Sequence, residues 1–259
     1  MPDLIITPLP AFKDNYIWLL VRGDEAAVVD PGDAEPVIRA LDQQCLRLTA
    51  ILATHHHADH VGGLVELKQR FAATAYGPAR ENVAQLDHRL STGAEFEVLG
   101  TRFEVIDIPG HTAGHIAFYA PGLKPPAVFC GDTLFACGCG RLFEGTPEQM
   151  LASLDALAEL PPATRVYCGH EYTIANIRFA LEVDPHNREL QTRAAMAIAM
   201  RKRGEPTLPS TIGLELETNP FMRCDVPAVR ATASGRSQGA GLARVSTFAA
   251  IRSWKDAYR

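Results

Sequence analysis

Four short apolar runs in this chain each lead to a histidine or an aspartate, and in three of them a glycine comes directly before it. Leu48 to Ala53 runs into Thr54-His55-His56-His57-Ala58-Asp59-His60. Ile106-Asp107-Ile108-Pro109-Gly110 ends at His111, Val128-Phe129-Cys130-Gly131 at Asp132, and Val166-Tyr167-Cys168-Gly169 at His170. A continuously apolar run of that length is the mark of a strand buried on both faces. Glycine permits the tight turn and close backbone approach needed at its end. The pattern confines the chain to a sheet-based fold that carries polar side chains on loops held by rigid strands, as a preorganised site requires.

In an extended segment, residues two apart point the same way, so His55 and His57 can present imidazoles to one metal. A turn after them lets Asp59 and His60 face a second position. Imidazole nitrogen and carboxylate oxygen suit zinc, iron or manganese, and the lack of thiolate ligands argues for an open catalytic site. A lone histidine at a strand end is more often packed or solvated. Here six of the nine histidines fall in these four stretches and a seventh, His115, directly follows Gly114, too many for that explanation. His56, by alternation, points away from its neighbours, and we read it and His115 as structural. His88 and His186 read as surface residues.

A chain of 259 residues holds one large domain, or one domain with a modest appendage. The periodicity predicts strands over 4–9, 16–21, 26–30 and 48–53, helices over 34–46 and 63–71, and a hairpin over 95–108 turning at Leu99-Gly100-Thr101. Thr146, Pro147 and Gln149 form a capping box that opens a further helix. After residue 170 the pattern is helical to Arg203 and again over 245–258. A Pro-rich segment (205–227) and a Gly/Ser/Ala stretch (Ala231 to Gly241), expected to be mobile, lie between.

A net charge of −5 gives no reason to expect nucleic acid as a partner. Charge is unevenly placed: from Arg223 to Arg259 there are seven basic and two acidic residues, a local excess that suits an anionic ligand. The start of the chain lacks the pattern of a signal peptide, and no apolar run is long enough to span a bilayer. The six cysteines lack the spacing of a disulfide scaffold, so reduced thiols in a cytoplasmic protein are expected. Cys137-Gly138-Cys139, with no second pair, is a weak metal signal. A monomer without a membrane partner is the default expectation.

The T-H-x-H-x-D-H segment, Gly110-His111-Thr112-Ala113-Gly114-His115, Gly131-Asp132-Thr133 and Gly169-His170 together resemble the metallo-β-lactamase superfamily. The resemblance implies an α+β fold, an αββα sandwich of two mixed sheets, here followed by a small C-terminal helical domain. The expected division is a catalytic domain over 1–170 and a helical domain over 171–259. Carried over, the resemblance makes His55, His57 and His111 ligands of a first metal and Asp59, His60 and His170 ligands of a second. Asp132 bridges the two. Two divalent ions are implied, zinc foremost, with iron or manganese compatible.

A narrower similarity covers nearly the whole chain. Gly131 to Phe135, Gly138 to Arg141, Phe143 to Thr146, Cys168 to Thr173, Pro209 to Thr211, Thr218 to Phe221 and Arg252 to Asp256 resemble the glyoxalase II (hydroxyacylglutathione hydrolase) family. This implies hydrolysis of S-D-lactoylglutathione by attack of a metal-bridging hydroxide, with Asp59 and Asp132 as the catalytic carboxylates. It also implies glutathione binding by Arg141, Phe143, Tyr172, Arg252 and Lys255. Arg141 stands where lysine is frequent, which keeps the charge but changes donor geometry. Phe143 stands where tyrosine is frequent and cannot donate a hydroxyl hydrogen bond, which leaves packing and its backbone N–H.

Rival readings are other enzymes of the superfamily, such as a lactamase, an RNA-processing phosphodiesterase or a one-iron persulfide dioxygenase. Residues 1–222, with 18 basic against 28 acidic residues, do not favour RNA. A dioxygenase lacks a helical extension with R-x-x-K. A binding protein without catalysis is disfavoured because no member of the ligand set is missing.

Overall fold

The computed structural model describes residues 2–236 and 242–258. The chain divides into two compact units, Met1–Asp107 with Thr112–Gly131 and Tyr167–His170, and Ile108–His111 with Asp132–Val166 and Glu171–Arg259.

The first unit opens with an antiparallel meander of β1 (Ile5–Ala11), β2 (Asn15–Arg22) and β3 (Glu25–Val29), in register from Ile5↔Val21 to Ala11↔Asn15 and from Trp18↔Val29 to Arg22↔Glu25. Parallel strands cannot be joined by a tight turn. Helix α1 (Ala34–Gln44) therefore crosses over to β4 (Arg47–Leu52), which lies parallel to β3. Asp33 starts α1 by accepting the Glu35 N–H at 3.0 Å, and Cys45 ends it in the left-handed conformation. The histidine segment follows, with a four-residue helix α2 (Ala58–Val61), then α3 (Leu64–Phe71), β5 (Thr74–Pro78) and β6 (His88–Leu90). The sheet runs β1-β2-β3-β4-β5-β6.

Both faces of that sheet are buried, for different reasons. Ile17, Leu19, Val28 and Ile51 pack against Val37, Ile38 and Leu41 of α1 and Leu64 and Leu67 of α3. The alternate residues Trp18, Leu20, Ala27, Val29 and Leu52 are equally buried on the other face. Strands buried on two sides read as continuous apolar runs, as these do.

The second sheet contains β7 (Glu95–Val98), β8 (Thr101–Asp107), β9 (Ile116–Ala120) and β10 (Ala127–Gly131), all antiparallel. The expected hairpin is present, with Leu99 and Gly100 at φ 51° and 64°, the signs a two-residue type I′ turn requires. An aromatic seam joins the two sheets. Tyr76 stacks on Phe96 at 4.7 Å, Phe96 on Phe103 at 5.5 Å, Phe129 on Tyr167 at 4.9 Å, and Tyr167 meets Trp18 edge-on at 4.8 Å. Phe103, Phe118 and Phe129 are wholly enclosed, each worth about 1.5–3 kcal/mol of burial.

In the second unit, β11 (Leu134–Phe135) and β12 (Gly138–Cys139) form a small hairpin, followed by α4 (Pro147–Ala158). The capping box is as expected: Thr146 Oγ1 accepts the Gln149 N–H at 3.3 Å and Gln149 Oε1 accepts the Thr146 N–H at 2.9 Å. Strand β13 (Arg165–Cys168) is followed by α5 (Thr173–Val183), α6 (Arg188–Lys202), β14 (Ser210–Thr211), α7 (Ile212–Thr218), α8 (Pro227–Arg236) and α9 (Arg244–Ala257). Arg165 and Val166 of β13 pair with Thr211 and Ser210 of β14.

Two expectations need correction. The Pro-rich 205–227 segment, expected only as a connection between helical stretches, contains β14 and α7. Ala231 to Arg236 is not a mobile stretch but the end of α8, where alanine and serine are tolerated and Val229 and Ala233 are buried. Residues 237–241 lie outside the described residues.

The second unit is tied together by a buried ion pair. Arg193 on α6 donates to Glu215 on α7 at 2.6 Å, to Thr218 at 2.6 Å and to Ser210 at 2.9 Å. The other Glu215 oxygen accepts the Cys137 N–H at 2.8 Å and the Asn219 amide at 3.0 Å. Asn219 in turn donates to the carbonyls of Phe135 and Gly138, at 3.2 and 2.9 Å. The Pro209-Ser210-Thr211 and Thr218-Asn219-Pro220-Phe221 motifs thus hold the β11–β12 hairpin in place.

Candidate active site

Strand β4 stops at Leu52 because the next polar residue finds a fixed partner. The Thr54 N–H and hydroxyl both donate to Asp30, at 2.8 Å each. Asp30 stands just after β3 in the left-handed conformation, φ 54°. With its proton committed to Asp30, the Thr54 hydroxyl accepts from Nδ1 of His55 at 3.1 Å. The His55 lone pair is therefore on Nε2. His55 and His57 have ring centroids 4.8 Å apart, as their spacing predicted. His56 turns the other way and meets Glu81 through Nδ1 at 2.9 Å.

The turn after His57 is α2, which carries Asp59 and His60. His60 Nδ1 is 3.1 Å from Asp30 Oδ2, and its Nε2 is 3.6 Å from Asp59 Oδ2. His170 repeats the arrangement: Nδ1 is 2.9 Å from Asp14 Oδ1 and Nε2 is 3.4 Å from the same Asp59 oxygen. The strand end carrying His170 is fixed by the Tyr16 N–H, which donates to the Gly169 carbonyl at 2.8 Å. Asn15 also donates to Asp59 Oδ2, at 3.0 Å. Asp59, His60 and His170 offer three ligand atoms within 4.8 Å of one another. Outer carboxylates on Nδ1 set each ring's tautomer and direct Nε2 inward, the usual support of a metal-ligating imidazole. The donor set fits a divalent cation.

Two glycines are fixed by contacts in this region. Gly131, at φ +46°, has Thr54 Oγ1 only 2.3 Å from where a Cβ would stand, so no side chain fits there. A Cβ on Gly140 would fall 1.9 Å from the Asp132 carbonyl oxygen and 3.1 Å from Nδ1 of His111. Gly140, Asp132 and His111 belong to the second unit, where His111 Nε2 lies 3.6 Å from Asp132 Oδ2 and His111 Nδ1 donates to the Arg141 carbonyl at 2.9 Å. The predicted ligands thus fall in two groups, five in the first unit and His111 with Asp132 in the second.

The predicted substrate residues all belong to the second unit. Arg141 and Phe143 are exposed, at 63% and 62%, next to the His111–Asp132 pair, and the Phe143 ring meets His111 edge-on at 5.3 Å. The Phe143 N–H donates to the His111 carbonyl at 3.3 Å. That group braces the ligand loop instead of facing outward. Tyr172 packs edge-on against Phe135 at 5.2 Å. Lys255 is half-buried, its Nζ donating to the Ala175 carbonyl at 3.3 Å. Burial lowers its pKa from the ordinary lysine value to about 8, with the charges of Arg252 and Arg141 adding to the effect. Arg252 is buried, donating to the Cys139 carbonyl at 2.8 Å and to Asp256 at 2.9 Å.

The remaining histidines behave as expected. His115 is fully buried and stacks on His55 at 4.5 Å, while His88 and His186 are exposed. Burial pushes the Cys137 and Cys139 thiols up to about 12 and about 11, and neither joins a metal-capable group among the described residues.

Sequence reasoning missed Asp30, Asp14, Asn15 and Glu81. Asp30 had a legible signal, since Val28-Val29-Asp30 is one more apolar strand ending in an acid. Glu81 accepts from His56, from the Thr112 hydroxyl and from the Gly114 N–H, joining two histidine-bearing loops. Neither it nor Asp14 had a local pattern to reveal it.

No helix among the described residues is long and apolar enough to cross a membrane. Residues 12–170 match the model of the metallo-beta-lactamase superfamily, and residues 171–258 match that of the hydroxyacylglutathione hydrolase C-terminus. The chain is 57% identical over 256 residues to a hydroxyacylglutathione hydrolase of Alkalilimnicola ehrlichii, covering 97% of this chain and 98% of that one. Among solved structures it is similar to ETHE1 from Myxococcus xanthus (TM-score 0.66, 25% identity), covering 98% of this chain and 99% of that one. It is also similar to TTHA1623 in a di-iron-bound form (TM-score 0.58, 28% identity), covering 84% and 99%. The fold is the metallo-β-lactamase αββα sandwich with a C-terminal helical region, and the chain belongs to the hydroxyacylglutathione hydrolase family.

Proposed function

We propose that the chain is a thioester hydrolase that converts S-(D-lactoyl)glutathione and water to D-lactate and glutathione, the second step of methylglyoxal detoxification. The observation that carries the reading is the pair His60 and His170, each aiming Nε2 at Asp59 Oδ2 with its Nδ1 held by a carboxylate. Relatives named hydroxyacylglutathione hydrolase support the substrate class. In this reading His55, His57 and His111 would hold one divalent cation and Asp59, His60 and His170 a second, with Asp132 serving both. Zinc suits the donors, and the di-iron form of TTHA1623 supports iron as an alternative. Residues 1–170 form the catalytic domain and 171–259 the glutathione-binding domain, acting as a cytoplasmic monomer with neither nucleic acid nor membrane as partner.

Two divalent cations, when bound, bring the pKa of water toward neutrality and polarise a carbonyl oxygen. Asp59, with 43% of its side chain exposed among buried imidazoles, orients the attacking water. The water oxygen bonds to the thioester carbon, and the carbon–sulfur bond breaks with its electron pair leaving on sulfur. An ordinary thiol has a pKa of about 8.5, so the thiolate departs without a side-chain acid. Arg141, Arg252 and Lys255 supply positive charge for the carboxylates of glutathione, and Phe143 and Tyr172 supply packing.

The test is hydrolysis of S-D-lactoylglutathione before and after chelation, with metal content measured on the same samples. Activity should fall with metal and return on adding zinc. Hydrolysis that survives metal removal overturns the scheme. Oxygen uptake with glutathione persulfide in place of hydrolysis would assign the site to dioxygenase chemistry.

A further inference from the structure

Helix α9 presents Arg252, Lys255 and Asp256, and Arg141 stands beside them on the loop after β12. Three cations share this corner with one carboxylate, and that carboxylate is the acid nearest to two of them. Asp256 Oδ1 accepts from Arg252 Nη2 at 2.9 Å and lies 3.6 Å from Nε of Arg141. Arg252 has little freedom: its side chain is 6% exposed, its Nη1 donates to the Cys139 carbonyl at 2.8 Å, and its guanidinium lies 5.1 Å over the ring of Phe221. A guanidinium so committed braces the β12 strand and keeps its charge in one place. Arg141 is mostly exposed, and its only ion-pair partner among the described residues is Asp256.

We propose that Asp256 is a positioning residue for the substrate's carboxylates: it locks Arg252 onto Cys139 and holds Arg141 close to two like charges. Three cations gathered without an acid repel one another, and the exposed Arg141, on a long side chain, is the one able to swing away. With Asp256 present, Arg141 and Lys255 form a preformed cationic notch braced by Arg252. This rests on the glutathione-thioester reading above. A bland alternative is that Arg252–Asp256 is an ordinary i,i+4 helix pair, which would affect helix stability and nothing else.

The experiment compares the wild type with Asp256→Asn and Asp256→Glu on two substrates, S-D-lactoylglutathione and S-lactoyl-N-acetylcysteamine, a thioester without carboxylates. Binding of glutathione itself is measured by calorimetry. In Asp256→Asn, KM for the glutathione ester and the Kd of glutathione should rise roughly tenfold or more, the scale of one lost charge-assisted contact. The kcat should stay within about twofold, and turnover of the neutral ester should not change. Asp256→Glu should recover part of the loss.

A second readout is the alkaline limb of kcat/KM. Lys255 is faced by Arg252 and Asp256 on its own helix, by Arg141 and Cys139 from the loop and strand, and by the Ala175 carbonyl on α5. Removing the Asp256 charge should move that limb to lower pH, an effect a purely structural pair would not produce. Equal losses on both esters, or unchanged KM and Kd, overturn the assignment of Asp256. A wild type that binds no glutathione and does not prefer the glutathione ester overturns the substrate reading, and this assignment with it.

Discussion

The carboxylate of Asp30 lies 3.1 Å from Nδ1 of His60 and also accepts both the N–H and the hydroxyl of Thr54, so one buried acid sets the orientation of two neighbouring imidazoles. Replacing Asp30 with alanine removes the partner of His60 Nδ1 and frees the Thr54 hydroxyl that fixes His55. Metal affinity should fall about 10–100-fold, the usual cost of losing such an outer partner. Competition with a calibrated chelator measures it directly. Unaltered affinity would show that the ring orientations are fixed by packing alone.

Lys255 should govern the alkaline side of the pH profile. Its pKa of about 8 means that it is charged below that pH and neutral above it. Carboxylate anchoring is therefore present at neutral pH and lost as pH rises through about 8. For S-D-lactoylglutathione, kcat/KM should fall through that region and level off roughly tenfold lower, the scale of one lost charge-assisted contact. Lys255→Met should flatten the limb while lowering the plateau. Profiles of the two proteins, with the carboxylate-free ester as a control, decide the matter.

Much of the fold is legible in the sequence, because its signals are local. The apolar runs before Asp132 and His170 announce strands β10 and β13, and Thr146 with Gln149 announces α4. What escaped were partners joined only by folding. Asp14 is 156 residues from His170 and Glu81 is 31 from Thr112, and no periodicity connects such pairs. Helix α7 was hidden for another reason: Ile212 to Thr218 is too short to display a period, and it is held by Glu215 reaching Arg193. The resemblance implied Arg252 as a glutathione-binding residue, and its burial against the Cys139 carbonyl, 113 residues away, is a contact that no local pattern shows.

The Arg193–Glu215 pair should be costly to break and cheap to replace whole. Arg193→Ala leaves Glu215 charged and buried, at 0% exposure, and should destabilise the protein by about 3–5 kcal/mol. Chemical denaturation of the variant tests this. A loss under about 1 kcal/mol would mean that water reaches the carboxylate.

Thiol reactivity should be confined to one position. Cys45 is exposed, whereas the other five cysteines are buried and Cys137, Cys139 and Cys224 have pKa values raised by burial. A chromogenic disulfide reagent at neutral pH should therefore titrate one fast thiol in the native protein and six after denaturation. Cys45→Ser should abolish the fast phase.

The first unit closes on Tyr167–His170, which return to it after the chain has left for Asp132–Val166. A polypeptide emerging from the ribosome therefore exposes its amino-terminal strands long before the piece that completes them exists. Until His170 has been synthesised, Asp14 has no imidazole to receive and Asp59 lacks one of its two neighbouring rings. Any cation captured by the nascent chain would be held by an incomplete set of donors. Assembly of the Asp59, His60 and His170 group thus waits on four residues that are made only after the whole of Asp132–Val166.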